Sequence, residues 1–347
     1  MVYIIIVNWN CWRDTIECLE SVLRLNHDRF RVFVCDNASS DDSLDHIAEW
    51  AEGRILASCS NPTLSHLTSP PLQKPISSAR LSADEHIDIG KRPEKLFLMQ
   101  NETNLGFAGG NNVGLRLALS TGDLEFAWLL NNDTVVDPEA LNHLIRKMKQ
   151  RPDVGICGST LLDYYNPSQV QALGGSSFTE WSARTHKIGS GLQADKLPPV
   201  DVVERQMDYV SGASMMVCHS FLAQVGLLNE EYFLYFEEID WAKRALGRFH
   251  MTYSPESIVY HREGASIGTG PARNRSTLSE FYSTRNRILF TRKHNSFLLP
   301  LTCCAVLLSA MHRILLGNFT NCIAVLKGMI AGFWAQSRTS SQPAVRL

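Results

Sequence analysis

Four short apolar runs in the first 130 residues are each followed by a polar cluster rich in asparagine or aspartate, and that recurring stop constrains the fold more than any other feature of this chain. The runs are Val2-Tyr-Ile-Ile-Ile-Val7, Arg31-Val-Phe-Val-Cys35, Lys95-Leu-Phe-Leu-Met99 and Phe126-Ala-Trp-Leu-Leu130. The clusters that follow are Asn8-Trp9-Asn10, Asp36-Asn37-Ala38-Ser39, Asn104 to Asn112, and Asn131-Asn132-Asp133. Each run is too short for a membrane span and has the length of a buried strand. The first lacks a basic leader, so it reads as a strand rather than a signal sequence. Between the runs, Ile16, Leu19 and Leu23, then Leu44, Ile47, Ala48 and Ala51, and then Val113–Leu119 have helical spacing, with Ser40 or Asp41 placed to cap the second helix. This alternation predicts a mostly parallel sheet with helices on both faces. Ligands of such sheets bind beyond the carboxyl ends of the strands. One polar cluster there is ordinary turn chemistry, but four in succession point to a crevice.

Further along, Asp137-Pro138-Glu139 should start a helix reaching about Met148, and Val154–Cys157 a short strand. Residues 158–205 read as hairpins, Val210–Val217 as a strand, Glu237–Leu246 as a helix, Met251 and Val259 as centres of two short strands, and Leu278–Phe290 as a helix. Ala57–Pro93 holds five of the 14 prolines and no sustained period, and is expected to be a flexible surface insertion.

Charge divides the chain. The whole carries 33 Lys+Arg against 35 Asp+Glu, a balance that argues against nucleic acid as a partner. From Phe281 onward there are basic residues (Arg285, Arg287, Arg292, Lys293, Arg313, Lys327, Arg338, Arg346) and no acidic one. Within that basic segment, Phe297–Met311 and Cys322–Ala335 are apolar stretches that read as shorter than the roughly 20 residues a span needs. Two arrangements fit them: helices packed on the body, or, as preferred here, helices lying in the membrane surface with Arg292, Lys293, Arg313 and Lys327 towards anionic lipid. The nine cysteines show no metal-type or disulfide-type spacing, which fits a reduced, cytosolic compartment.

The turn from Asn104 through Gly106, Gly109, Gly110, Asn111 and Asn112 lets backbone approach a ligand and opens a helix whose N–H groups favour an anion. Its glycine spacing is neither a dinucleotide fingerprint nor a P-loop. Asp133, beyond a buried strand and beside Asn131 and Asn132, suits a hard cation such as Mg²⁺ or Mn²⁺ bridging phosphates. Glu237, Glu238 and Asp240 form the densest carboxylate cluster and follow the aromatic run Tyr232-Phe-Leu-Tyr-Phe236, so one of them could take a proton from a substrate hydroxyl. The bland alternatives are a turn residue for Asp133, N-terminal helix decoration for the carboxylates, and a structural imidazole for His261.

Taken in order, Ile6-Val-Asn-Trp-Asn10, Cys35-Asp-Asn-Ala-Ser39, Asn104–Gly114, Leu129-Leu-Asn-Asn-Asp133, Ser211-Gly-Ala-Ser-Met-Met216, Phe236-Glu-Glu-Ile-Asp240 and Tyr260-His-Arg-Glu-Gly-Ala-Ser266 resemble the family 2 glycosyltransferases, especially their bacterial rhamnosyltransferase-like branch. The resemblance covers roughly residues 2–295 outside the insertion. It implies an α/β GT-A (nucleotide-diphospho-sugar transferase) fold over residues 1–295, and the basic, apolar residues 296–347 read as a helical membrane-associating tail beyond it. It also implies an inverting transfer of a sugar such as rhamnose from a dTDP- or UDP-sugar to a hydroxyl of a glycan or lipid-linked acceptor. That chemistry would serve cell-surface polysaccharide synthesis at the cytoplasmic face of the membrane.

By the same resemblance Asp36 meets the nucleobase, and Asn8, Asn104, Gly106, Gly109, Gly110, Asn111, Asn112 and Asn132 lie near the donor. Asp133 and His261 would hold a divalent metal, and Glu238, beside Glu237 and Asp240, would be the base. Two positions depart from the family pattern: Asn131 replaces the first Asp of the metal motif, and Glu238 replaces the usual catalytic Asp. Two other classes, a sugar-nucleotide-synthesising nucleotidyltransferase and a non-catalytic sugar-nucleotide-binding protein, share the architecture. The first should have a Gly- and Arg/Lys-rich N-terminal loop, which Asn8-Trp9-Asn10-Cys11 is not.

Overall fold

The computed structural model describes residues 1–81, 89–264 and 275–335. The first half alternates strand and helix: β1 (Val2–Asn8), α1 (Trp12–Val22), β2 (Phe30–Asp36), α2 (Ser43–Glu52), α3 (Ser65–Thr68), β3 (Ser78–Leu81), β4 (Leu96–Gln100), α4 (Gly106–Ser120), β5 (Phe126–Asn131), β6 (Thr134–Val136) and α5 (Ala140–Gln150). Then come β7 (Val154–Asp163), β8 (Val170–Leu173), β9 (Gly175–Thr179), β10 (Arg184–Lys187), α6 (Val200–Gln206), β11 (Tyr209–Val210), β12 (Ser214–Cys218), α7 (His219–Val225), α8 (Glu237–Ala245), β13 (His250–His261), α9 (Thr277–His294), α10 (Leu299–Leu315) and α11 (Phe319–Trp334).

The main sheet runs β3-β4-β2-β1-β5-β12-β7-β13-β6, with β8 beside β7. Strands from β3 to β5 are parallel, β12 is antiparallel to both its neighbours, and β13 is again parallel to β7. Side chains alternate across the pleat. Ile4, Ile6, Val32 and Val34 therefore enter the core on one face with α1, α2 and α5, and Ile5, Phe33 and Leu129 enter the other with α4. Registers pair Asn8 with Asp36, Val7 with Asn131 and Asp36 with Gln100. The polar stops of β1, β2, β4 and β5 thus share one rim.

Local chemistry moved several boundaries. Neither Ser40 nor Asp41 caps α2; the N-cap is Asp42, in the left-handed region, and the Ser43 hydroxyl bonds Asp41. Asp137 accepts from Glu139 N at 2.8 Å in a turn ahead of α5, so the helix starts later than predicted. The stretch Val210–Val217 splits: β11 joins a separate three-stranded sheet, β10-β9-β11, while β12 joins the main one. The two strands expected near Met251 and Val259 are one, continued through an irregularity between Ser254 and Ile258.

The insertion also departs from expectation, because its described residues contain packed elements. β3 extends the sheet beside β4, and Leu64 and Leu67 bury against Val135 and Tyr164. Residues 82–88, within the stretch expected to be flexible, lie outside the described residues.

The C-terminal helices form a hairpin on α9. A Cβ on Gly328 would lie 2.5 Å from Phe281 O, and one on Gly332 2.6 Å from Arg285 O, so two glycines of α11 let the helices touch. Val306, Ala310, Cys322 and Val325 bury against Ile288. The opposite face leaves Leu308, Leu315, Ile330 and Trp334 exposed. Two expectations are corrected. Ser296–Leu315 forms 20 residues of mean hydropathy 1.7, long and apolar enough by length and composition to cross a membrane. The basic residues mostly point inward. Arg313 pairs with buried Glu280 at 2.7 Å, Arg292 donates to Gly332 O, and Lys293 lies 3.7 Å from Asp240. Of the four cations expected to face lipid, Lys293 and Lys327 are exposed, Arg292 is half-buried and Arg313 is buried. Arg338 and Arg346 lie outside the described residues.

Candidate active site

A cavity of about 580 Å³ opens at the shared rim. One wall is the end of β5 with Asn131, Asn132 and Asp133, a second is the start of α4 with Asn104, Gly106 and Asn111, and a third is the aromatic loop leading into α8 with Glu237 and Glu238. His261, at the end of β13, closes the side next to Asp133.

Asp133 Oδ1 is a buried oxygen with no aligned hydrogen bond, 3.2 Å from His261 Nε2. On its other side the imidazole meets Gln171 Oε1 at 2.6 Å. With that oxygen as acceptor, Nδ1 carries the proton and the Nε2 lone pair accepts from Asn131 Nδ2 at 3.3 Å beside Asp133, an orientation typical of a metal-binding histidine held from behind. Among the described residues no three His, Cys, Asp or Glu converge on a metal position. One carboxylate and one imidazole nevertheless fit a Mg²⁺- or Mn²⁺-type ion that takes its remaining ligands from phosphate and water.

Glu237 is buried with Oε2 unpartnered, and burial, then the charge of Glu238, pushes its pKa well above the ordinary carboxylate range. Burial raises Glu238 as well. Glu238 can lie over the turn between β11 and β12 because residue 212 is glycine: a Cβ there would sit 2.4 Å from Glu238 Oε1. The loop that delivers both carboxylates holds Phe233, Tyr235 and Phe236 at φ of 58°, 69° and 77°. Left-handed backbone at non-glycine residues costs about 1 kcal/mol or more each, so the surroundings must enforce it.

Several residues expected near the donor, or on the catalytic helix, are engaged by partners within the protein. Asp36 does not line the cavity; its carboxylate accepts from Asn8 Nδ2 at 2.6 Å and from Ser39 N at 2.8 Å. Asn8 is wholly buried in that network, and its Oδ1 accepts from Thr15 at 2.7 Å. Asn112 ties α4 to Leu228 O and Glu230, both at 2.8 Å. Gly109 and Gly110 allow close packing, against Leu105 and against Val7 and Asn37. The helix end expected to receive an anion has Gly106 N donating to Asn104 Oδ1 and Phe107 N to Phe233 O.

Asp240 faces away from the cavity. His294 at 2.8 Å and Arg244 at 2.7 Å hold its pKa down to about 2 despite burial, so it is an ion-pair anchor for α8 and not a base. Sequence reasoning missed Gln171 and Lys187, which line the cavity from β8 and β10. Each is one polar residue on a short strand, with no spacing to mark it.

This rim, with a glycine turn, a strand-end carboxylate and a carboxylate pair on a third wall, belongs to a GT-A fold, that of nucleotide-diphospho-sugar transferases. The chain is a member of glycosyl transferase family 2, whose profile matches residues 3–62 and 79–202. It is 31% identical over 142 residues to a hexosyltransferase of low-salt glycan biosynthesis from Haloferax volcanii, covering 41% of this chain and 43% of that one. It is 26% identical over 189 residues to the N-acetylglucosaminyl-diphospho-decaprenol L-rhamnosyltransferase of Mycobacterium tuberculosis, covering 50% of this chain and 61% of that one. The matches therefore span only part of these curated relatives. Among solved structures, a mannosyltransferase from Pyrobaculum calidifontis with GDP-Man and Mn²⁺ shares the fold at a TM-score of 0.50 and 14% identity, over 96% of this chain and 87% of that one.

Proposed function

We propose that this chain is an inverting glycosyltransferase. It moves a sugar, with rhamnose the first to test, from a nucleoside-diphosphate donor to a hydroxyl of a glycan or lipid-linked acceptor in cell-surface polysaccharide synthesis. The observation that carries the proposal is the placement of a carboxyl pair, buried Glu237 and half-buried Glu238, on the same cavity as Asp133 and His261. Glu238, the less buried of the two, accepts the proton of the acceptor hydroxyl as its oxygen attacks the anomeric carbon. Its raised pKa brings it closer to neutral working pH, where a general base is most effective, and such bases typically contribute about 10²–10⁴-fold. Glu237 keeps its proton and so limits the charge beside the base. Asp133 and His261 would hold a divalent metal ion, which when bound supplies positive charge for the diphosphate leaving group. Trp9, Asn37, Asn104 and Asn111 border the cavity and orient the donor.

The exposed apolar stripe of α10 and α11 rests on the cytoplasmic membrane surface, which brings the cavity to a lipid-linked acceptor. The test is a panel of dTDP-, UDP- and GDP-sugars with Mn²⁺, including dTDP-rhamnose, and NMR assignment of the product anomer. Transfer with inversion by wild type and its loss in Glu238→Gln supports the reading; retention of anomeric configuration, or full turnover without either glutamate, overturns it.

A further inference from the structure

We infer that Arg285 and Asn286, side by side on α9, are positioning residues that set the Glu237–Glu238 pair against the glycine turn of α4. The inference rests on the proposed role of that pair. The loop Glu231–Phe236 has three non-glycine residues at positive φ, a conformation it does not favour by itself. Its carbonyls are held one after another. Arg285 Nη1 donates to Glu231 O at 2.8 Å. Asn286 Nδ2 donates to Tyr232 O, Leu234 O and Tyr235 O at 2.6, 2.7 and 3.0 Å. Phe233 O accepts from Phe107 N at 2.7 Å, in the first turn of α4, and Phe236 O accepts from Asp240 N of α8 at 2.8 Å.

One amide with two protons shares them among three carbonyls, and its Oδ1 accepts from Arg285 Nη1 at 2.7 Å, which fixes its orientation. Asn286 is wholly buried, so no water substitutes for it. The clamp therefore joins three parts: α9, the loop that carries the carboxylates, and the turn where the donor lies. Neither residue lines the cavity, so both act through the loop.

The test compares Asn286→Ala with Thr291→Val in the full chain. Thr291 is a buried polar residue of the same helix whose hydroxyl, among the described residues, bonds Arg287 O and Thr302 Oγ1. Backbone hydrogen exchange is measured without substrate, and kcat and KM with whichever sugar nucleotide the wild type turns over. Asn286→Ala should raise exchange about tenfold or more across residues 231–239. It should lower kcat about 10²-fold, as a misplaced catalytic group does, with donor KM little changed. Thr291→Val should do neither at a comparable loss of melting temperature.

Unchanged exchange over 231–239 overturns the clamp, and so does a fall in kcat that follows melting temperature equally in both variants. A loosened loop with undiminished kcat overturns the positioning role. If Asn286→Ala does not fold, Arg285→Ala, which removes the Arg285 donor to Glu231 O and to the Asn286 oxygen, is judged by the same criteria. Should the wild type transfer no sugar, the functional reading fails and the exchange measurement alone decides the clamp.

Discussion

At the scale of single residues, the cavity separates groups that touch a ligand from groups that hold those groups still. Asp133 Oδ1 lacks an aligned hydrogen bond, so its removal costs the fold little. Asp133→Ala should leave the melting temperature within about 4 °C and abolish the Mn²⁺ dependence of dTDP and UDP binding measured by calorimetry. Equal nucleotide affinity with and without Mn²⁺ in wild type would sink the metal assignment. The carboxyl pair gives a second expectation. Glu238→Gln should lose at least about 10²-fold in kcat with little change in donor affinity, and the reverse pattern, with Glu237→Gln crippled instead, would move the base by one position.

Stability should answer differently. The native Glu237 pKa is raised, whereas in the unfolded chain it is about 4.3. Between those two values the native state keeps a proton the unfolded chain has lost, so stability falls as pH rises through that window. Glu237→Gln should therefore match wild type below about pH 4 and exceed it at neutral pH in urea unfolding. A wild-type stability that rises with pH across this window, with no gain in the variant, would show that Glu237 ionises freely.

At the scale of elements, the decisive contact is between the start of α4 and the aromatic loop. Gly106 has φ +70°, and a Cβ there would lie 2.2 Å from Phe233 O. Gly106→Ala should cost at least about 2 kcal/mol by denaturant unfolding and reduce turnover, because the loop must move away to make room. An Ala variant of native stability and activity would mean this approach is not required. The strands were legible in the sequence because apolar runs with polar stops survive any context. The short β11, the split of Val210–Val217 and the fusion of two expected strands into β13 were not, because they depend on partners far along the chain.

At the scale of the whole molecule, the C-terminal hairpin belongs to the body and also presents an apolar surface. Ending the chain at Asn295 would leave Glu280 buried without Arg313 and expose Ile288, so the shortened protein should be less stable by about 3 kcal/mol or more. Full stability after that truncation would place the hairpin outside the core. The full chain should sediment with phospholipid vesicles, and since most described cations of this region are engaged internally, raising salt should release little of it. Vesicle binding that disappears in high salt would return the contact to electrostatics. Resistance to alkaline carbonate extraction would instead favour Ser296–Leu315 as a membrane span.

What the sequence determined by itself was local and periodic. Apolar runs such as Val2–Val7 set the strands, their polar stops located the rim, and ordered motifs such as Leu129–Asp133 and Phe236–Asp240 marked the family. Residue type and spacing carry that information without reference to distant chain. Only the tertiary structure decided which polar residues face the cavity. Asp36 and Asn8 satisfy each other inside the rim, Asp240 turns to His294, and Gln171 arrives from a remote strand to orient His261. The same holds for the tail: its sequence charge is +8 from Phe281 onward, yet Arg285, Arg292 and Arg313 are spent on carbonyls and a buried carboxylate. A charge or amide in a sequence has no direction, and its partner is chosen when burial makes an unpaired polar group too costly.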